Sequence, residues 1–423
     1  KAATLCSAMF GSISGSTAAN VATTGVFTIP LMKKNGYSAR FAAATEASAS
    51  TGGQILPPIM GAAAFVMADV ISTSYLDIIS AALIPALLFY LAIWMSVHFE
   101  AKRLGLNPIP KDQRPTLREG LFNVETLLLP LVVLITMLVL RYTPTTAAVA
   151  AYFTAMVLYL VSPRSQGTLW ERVKTLPAAL EAGAMTAAMI AVIIGSVAII
   201  AAVISITGLG LKVSSLILMV SGGDVMVTLL LAMVVAIILG MGLPTVAAYM
   251  LAASVVAAAF VEAGLPSLSA HLFILYFAIL SGVTPPVALA AYIGGAIAGS
   301  HWFRTALTAT KISLGGFLIP FMFVYHPPLL GQGTKLEIAM AVASGVLGII
   351  ALAASTIGYF ARPCSWVERG LLLFAALMLI NGQAITDVVG IAVIAGIFVW
   401  QRYFSHAAKG GRPLARSPSK EPL

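Results

Sequence analysis

Residues 11–25, GSISGSTAANVATTG, carry Gly, Ser, Thr and one Asn, and no Asp, Glu, Lys or Arg. They stand in a chain whose other segments are mostly apolar enough for a bilayer. Lipid offers backbone groups no water, so non-helical backbone at membrane depth survives only where protein buries it or it lines a cavity. A Gly/Ser-rich interruption between apolar, helix-forming stretches therefore predicts a helical hairpin that dips into the membrane and turns back. Its tip exposes carbonyls, hydroxyls and helix N-termini. The competing reading is a small-residue face for close helix packing. What favours the hairpin is that the pattern occurs twice.

Of 423 residues, 60% are hydrophobic and 9% charged, with mean hydropathy +0.99. A soluble domain carries about 25% charged residues, so this is an integral membrane protein and its first partner is the lipid bilayer. A net charge of +9 would suit a nucleic-acid binder. The Lys and Arg residues sit between apolar segments, however, which is the membrane topology signal, and no nucleic-acid partner is expected. Cys6 and Cys364 are the only cysteines, which leaves no disulfide framework and no Cys-based metal site. No signal-peptide pattern is present. The chain opens at Lys1, already inside an apolar segment. This predicts a piece of a longer protein with earlier spans missing.

In chain order, the first hairpin is expected over 1–32, with its tip near 14–20. A basic loop follows at Lys33, Lys34 and Arg40. A long helical region over 41–70 is interrupted at STGGQILPP, 50–58, because paired Gly and paired Pro cannot belong to an undisturbed helix. A span over 76–97 leads to a charged, Pro-punctuated surface arm. Spans over 122–140 and 146–161, a basic loop over 162–174, a long helix over 177–206 and a short apolar segment over 209–220 come next. A second hairpin over 225–263 is broken at GMGLPT, 240–245, and a second helix over 270–300 at SGVTPP, 281–286. A span over 306–325 and apolar segments over 338–361, 367–385 and 387–400 complete the chain. Grouped, these give a first transport repeat at 1–97, a cytoplasmic amphipathic arm at 98–121 and scaffold spans at 122–222. A second repeat at 223–331, extra spans at 332–402 and a basic disordered tail at 403–423 follow.

Each repeat reads hairpin break, intervening helix, Gly break with Pro-Pro, small-residue run, then an aromatic, Phe65 or Tyr292. Gly15 precedes Pro57 by 42 positions and Gly242 precedes Pro285 by 43. Paired Gly/Pro-interrupted apolar segments at corresponding positions are a pointer to a secondary transporter's binding site. If Lys33 and Lys34 face the cytoplasm, counting spans puts nearly every basic cluster there, as the positive-inside rule asks. The exceptions are Arg141, Lys212 and Lys335. The same count makes the second hairpin dip in from the opposite side, so the repeats are inverted.

Unwound carbonyls with a few hydroxyls suit a sodium ion, which needs several oxygens. The predicted cation ligands are Ser14, Gly15, Asn20, Gly52 and Gly53 at the first pair of breaks, and Gly240, Gly242, Thr245, Gly282 and Thr284 at the second. Pro57 and Pro285 lack N–H groups and so free carbonyls. A substrate carboxylate is expected between the hairpin N-termini, near Ser16, Thr17, Asn20, Gly53, Pro244, Thr245 and Thr284. For any single hydroxyl, back-bonding to its own helix is the competing fate. Glu46 is a functional suspect as an ionisable residue within a span. Asp69 and Glu262 are expected at interfaces, and His271 at the start of a helix on the outer surface.

With GSISGSTAANVATTGVFTIPLMKK (11–34), EASASTGGQILPPIMGAAAF (46–65), GMGLPTVAAY (240–249) and SGVTPPVALAAY (281–292), the chain resembles the large membrane subunit of the tripartite ATP-independent periplasmic (TRAP) transporters. The likeness is to the fused permease type that works with TAXI-class binding proteins, and it covers residues 1–331. It implies an all-α, inverted-repeat, elevator-type fold with two re-entrant hairpins and two interrupted helices, sited in the bacterial inner membrane. It also implies coupling to Na+ and a periplasmic substrate-binding protein that delivers a small organic acid, such as a C4-dicarboxylate, or an amino acid. Measured against that resemblance, the small-subunit spans and the first scaffold spans of such permeases are expected to be missing from this stretch of sequence.

Two other functional classes compete with this one. GSISG is loosely similar to a rhomboid-type serine motif, but an intramembrane hydrolase needs a histidine facing its serine. His98, His271, His301, His326 and His406 all fall at span ends or beyond, so no enzyme is expected. A passive channel could also use Gly-rich backbone, yet hairpins dipping from opposite sides favour alternating access.

Overall fold

The computed structural model describes residues 1–107, 124–161, 167–380 and 382–403. Among them the regular structure is helical, and seven helical segments, one of them the pair of short helices over Trp302–Tyr325, are long and apolar enough to cross a bilayer. The tail beyond 403 and the arm from 108 onward lie outside the described residues.

The first hairpin is α1 (Ala2–Ser14) and α2 (Thr17–Lys34). Gly15 makes the turn in the left-handed region, φ 61°, which a glycine adopts without a Cβ clash. Ser16 caps α2 by accepting from Ala19 N–H. The turn is therefore two residues, and Asn20, expected at the tip, lies one turn inside α2 and fully buried.

The first interrupted helix is α3 (Ala39–Gly52) and α4 (Ala62–Val70). The break is longer than the sequence suggests, running to Gly61. α5 (Tyr75–Arg103) extends six residues past the predicted end of its span, so residues 98–103 are helix rather than arm. α6 (Val124–Val139) and α7 (Pro144–Val161) pair as expected. α8 (Leu169–Ile206) starts eight residues before the predicted boundary and runs through Pro177. A capping box explains this: Thr168 and Glu171 satisfy each other's backbone N–H. The same device at Thr334/Glu337 and Ser365/Glu368 moves the starts of α16 (Lys335–Ile357) and α17 (Trp366–Met378) earlier.

α9 (Leu209–Ser221) leads into the second hairpin, α10 (Val225–Gly240) and α11 (Thr245–Glu262). The second interrupted helix is α12 (Ser267–Leu280) and α13 (Leu289–Ala298). The predicted span over 306–325 is two helices, α14 (Trp302–Ile312) and α15 (Leu314–Tyr325), which meet at Ser313. α18 (Ala384–Tyr403) ends the described chain.

Packing follows the repeat. The second arm of hairpin one, α2, packs on the second half of the other repeat's broken helix, α13. Symmetrically, α11 packs on α4. Each repeat thus leans on the other across the pair of breaks. Small residues let this happen: Gly294 brings α13 against the Ala43 backbone of α3. Gly315 and Gly316 bring α15 onto Ala92 and Phe89 of α5. α8 is exposed along most of its length, which suits a helix facing lipid or another span.

Candidate functional site

The two breaks are built alike. α3 ends at Gly52 and α12 at Leu280, each followed by a stretch that closes back on itself. Gly61 N–H donates to Gln54 C=O at 2.8 Å, and Ala290 N–H donates to Gly282 C=O at 3.0 Å. In each, a non-glycine residue three positions after the first proline takes a positive φ: Met60 at 61° and Ala288 at 46°. Pro57–Pro58 and Pro285–Pro286 are both cis. The hairpins meet these breaks through small residues. A Cβ on Gly53 would lie 2.5 Å from Gly11 Cα, so α1 and the end of α3 touch backbone to backbone. A Cβ on Gly240 would lie 2.7 Å from Ser281 Oγ.

Gln54 joins the two halves. Its Nε2 donates to Gly15 C=O at the tip of hairpin one, 3.1 Å away. Its Oε1 accepts from Thr245 Oγ1, at the first residue of α11 in hairpin two, at 2.7 Å. Gln54 is buried, and one carboxamide therefore ties break one, hairpin one and hairpin two together. Gln54, and not Asn20, is therefore the carboxamide at the first break. Its signal was available: Gln54 is the one long polar side chain in STGGQILPP or SGVTPP.

The predicted site residues other than Asn20 fall into three groups. Gly15, Gly52, Gly53 and Thr245 gather around Gln54, with Gly15 C=O and Thr245 Oγ1 already engaged by it. Ser14 closes α1 at an exposed position, Ser16 caps α2, and Thr17 begins it. At the second break, Gly240 lies against Ser281, Gly242 turns the hairpin at φ 75°, and Pro244 caps α11. Gly282 C=O takes Ala290 N–H, and Thr284 Oγ1 donates back to Leu280 C=O at 2.7 Å.

Asn20 belongs to neither tip. Its Nδ2 donates to Ser7 C=O at 2.8 Å, and its Oδ1 faces Thr24 Oγ1 at 2.9 Å. It sits beside Glu46, which is buried and surrounded by Thr24, Thr28 and Ser50. His271 is likewise not interfacial. It lies inside α12, buried, with Nδ1 2.8 Å from Tyr249 Oη of α11. α12 begins four residues earlier than His271, and a buried imidazole is tolerable because Tyr249 gives it a hydrogen-bond partner. Asp69 and Glu262 are exposed. Among the described residues, no histidine hydrogen-bonds a serine of α1, whose Ser12 donates to Met9 C=O.

Fold and site define a multi-pass, all-helical membrane protein organised around two hairpins and two broken helices. Residues 1–338 match the DctM component of the tripartite ATP-independent periplasmic transporters, and the chain belongs to that family. The match ends as α16 begins, so α17 and α18 lie outside it. The chain is 32% identical over 165 residues to the C4-dicarboxylate TRAP transporter large permease protein of Pseudomonas aeruginosa, covering 38% of each. It is 26% identical over 218 residues to the 2,3-diketo-L-gulonate TRAP transporter large permease protein of Escherichia coli, covering 50% of this chain and 48% of that one. It is 25% identical over 296 residues to the isethionate TRAP transporter permease protein of Oleidesulfovibrio alaskensis, covering 69% and 45%. The matched stretches span less than half the length of these relatives.

Proposed function

We propose that this chain is permease machinery of a sodium-coupled secondary transporter in the bacterial inner membrane. It takes up a small organic acid or amino acid delivered by a periplasmic binding protein, working with the spans of a small subunit. The observation that carries the reading is the Gln54 bridge, which brings one hairpin tip and the start of the opposite hairpin's second arm to one helix break. The arms α2 and α11 begin at Thr17 and Thr245, so their N-terminal dipole ends lie at the two hairpin turns, where they favour a carboxylate. The carbonyls of Gly53, Ile55 and Gly242 take no hydrogen bond among the described residues, which suits them to a cation. Ser14, Gly15 and Gly52 at the first break, with Gly240, Gly282 and Thr284 at the second, complete the proposed ligand sets.

The fused TAXI-type assembly and the elevator motion belong to the same proposal; hairpins packed on the opposite repeat's broken helix support them. The test is uptake in proteoliposomes containing the full transporter and its binding protein. Uptake should require an inward sodium gradient and accumulate substrate against its own gradient. Sodium-independent, purely downhill flux would leave the channel reading instead.

A further inference from the structure

Around Glu46 the hydrogen-bonding groups can be counted. Asn20 Nδ2 lies 2.8 Å from Ser7 C=O and 3.3 Å from Ser7 Oγ. A carbonyl at 2.8 Å requires a donor, so the carboxamide cannot be flipped, and Oδ1 faces α2. The group that reaches Oδ1 is Thr24 Oγ1, at 2.9 Å. Asn20 is fully buried, so leaving that oxygen without a donor would be costly. Thr24 has one hydroxyl proton and two acceptors on Asn20 at 2.9 Å, the backbone C=O and Oδ1. The C=O is already an acceptor inside α2, so the proton goes to Oδ1, which no other donor reaches among the described residues. Yet Thr24 Oγ1 is also in short hydrogen-bond contact with Glu46 Oε1. Two acceptors cannot share a contact without a proton, and the threonine has none left to give.

The remaining contacts fit. Thr28 Oγ1 donates to Glu46 Oε2 at 2.6 Å, and Ser50 Oγ reaches Oε1 at 3.3 Å and Ser7 Oγ at 3.0 Å. A proton on Oε1 of Glu46 satisfies the chain of contacts from end to end: Glu46 donates to Thr24, Thr24 donates to Asn20, and Asn20 donates to Ser7. Glu46 takes part in no ion pair among the described residues. The titratable groups facing it are Cys6 of α1 and Tyr90 of α5, both neutral near pH 7. α2, α13 and α14 present no charged group to it.

We propose that Glu46 is a proton-binding site, occupied in this conformation at neutral pH, whose proton latches the first hairpin to the first interrupted helix. The latch spans three elements, since Ser7 is on α1, Asn20 and Thr24 are on α2, and Glu46 and Ser50 are on α3. It reaches the first break as well: Asn20 Nδ2 lies 2.6 Å from where a Cβ on Gly11 would stand, and Gly11 abuts Gly53. Losing the proton puts a charge on Oε1 and forces Thr24 to choose between Glu46 and Asn20. The Asn20–Thr24 contact or the Thr24–Glu46 contact then opens, and the seating of α1 against Gly53 changes with it. The proposal is independent of sodium coupling and of the substrate.

The experiment is infrared spectroscopy of the full chain in nanodiscs at neutral pH, in H2O and D2O. The wild type should show the C=O stretch of a protonated carboxylic acid, sensitive to deuteration and absent from Glu46→Gln. Thr24→Val removes the hydroxyl that accepts the proton, so in that variant the same band should persist and move to higher frequency. It keeps the question open to an answer if Glu46→Gln fails to fold. A neutral-pH wild-type spectrum with no such band, or a band unchanged in frequency in Thr24→Val, would overturn the assignment. A transport assay that failed to show sodium coupling would leave this result untouched.

Discussion

At the scale of single residues, the glycines sort by what surrounds them. Gly53 has no room: its added methyl would meet Gly11 Cα at 2.5 Å and C at 2.6 Å, and backbone cannot swing aside as a side-chain end can. Gly53→Ala should therefore destabilise the folded chain by about 1–3 kcal/mol, the usual cost of overpacking a tight core. Gly195, in α8, has nothing within 4 Å of the same methyl. Gly195→Ala should be neutral or stabilising by up to ~1 kcal/mol, because alanine restricts the unfolded chain more than glycine does. Equilibrium denaturation in detergent compares the two, and equal costs would mean that the Gly11–Gly53 contact is not tight. Gln54 makes a second residue-scale test. Gln54→Leu keeps bulk but abandons the Gly15 carbonyl and the Thr245 hydroxyl, each an unmade buried contact worth ~1–3 kcal/mol. Uptake by the assembled transporter should fall at least about tenfold, while Lys102→Ala, on an exposed side chain at the end of α5, should leave it unchanged. Wild-type uptake by Gln54→Leu would remove this residue from the site.

Between elements, the Tyr249–His271 hydrogen bond fastens α11 of hairpin two to α12 of the interrupted helix beside it. Tyr249→Phe and His271→Leu should each destabilise, and the double mutant should cost less than their sum by roughly 1 kcal/mol, since either single change already breaks the bond. Strict additivity in a double-mutant cycle would deny the contact. This pair also shows where sequence reading stops. The breaks were legible because their cause is local: Gly and Pro interrupt a helix wherever they stand, and GMGLPT and SGVTPP repeat the arrangement of the first pair. Helix starts at Leu169 and Lys335 are legible through Thr168/Glu171 and Thr334/Glu337, whereas apolar periodicity alone places them late. Gln54, Asn20 and His271 were not legible in role, because a polar side chain's partner is set by tertiary packing. The carboxamide expected to line the tip is held inside hairpin one, and the one overlooked in break one spans the site.

Across the whole molecule, charge marks the two ends. Lys311 of α14 is in electrostatic range of Arg40, Arg103 and Arg369, with Glu100 among them, so basic residues from four separate segments gather at one end. Lys33 Nζ donates to Ala298 C=O at 2.9 Å, bringing the end of hairpin one to the end of the second broken helix at that level. At the other end a cavity of about 860 Å³ opens between Asp69, Thr73 and Tyr75 on one side and Arg141 and Tyr142 on the other. α5 connects the two ends with 29 residues, ~43 Å of helix against a hydrocarbon core of ~30 Å. Under the proposed function, the positive-inside rule assigns the basic end to the cytoplasm and the cavity end to the periplasm. With the exposed Cys6 and half-buried Cys364 replaced by serine, single cysteines at Lys34, Arg103, Arg172 and Arg304 should resist a membrane-impermeant thiol reagent in intact cells. Cysteines at Asp77 and Thr143 should react. Hairpin one then hangs from the cytoplasmic end, where Lys33 and Lys34 close α2, and hairpin two from the end that carries Asp69. Labelling at Lys34 and Arg304 with protection at Asp77 and Thr143 would turn the molecule over in the membrane. Labelling that separates Lys34 from Arg304 would break the inverted pairing itself, because the Lys33–Ala298 contact requires both on one side.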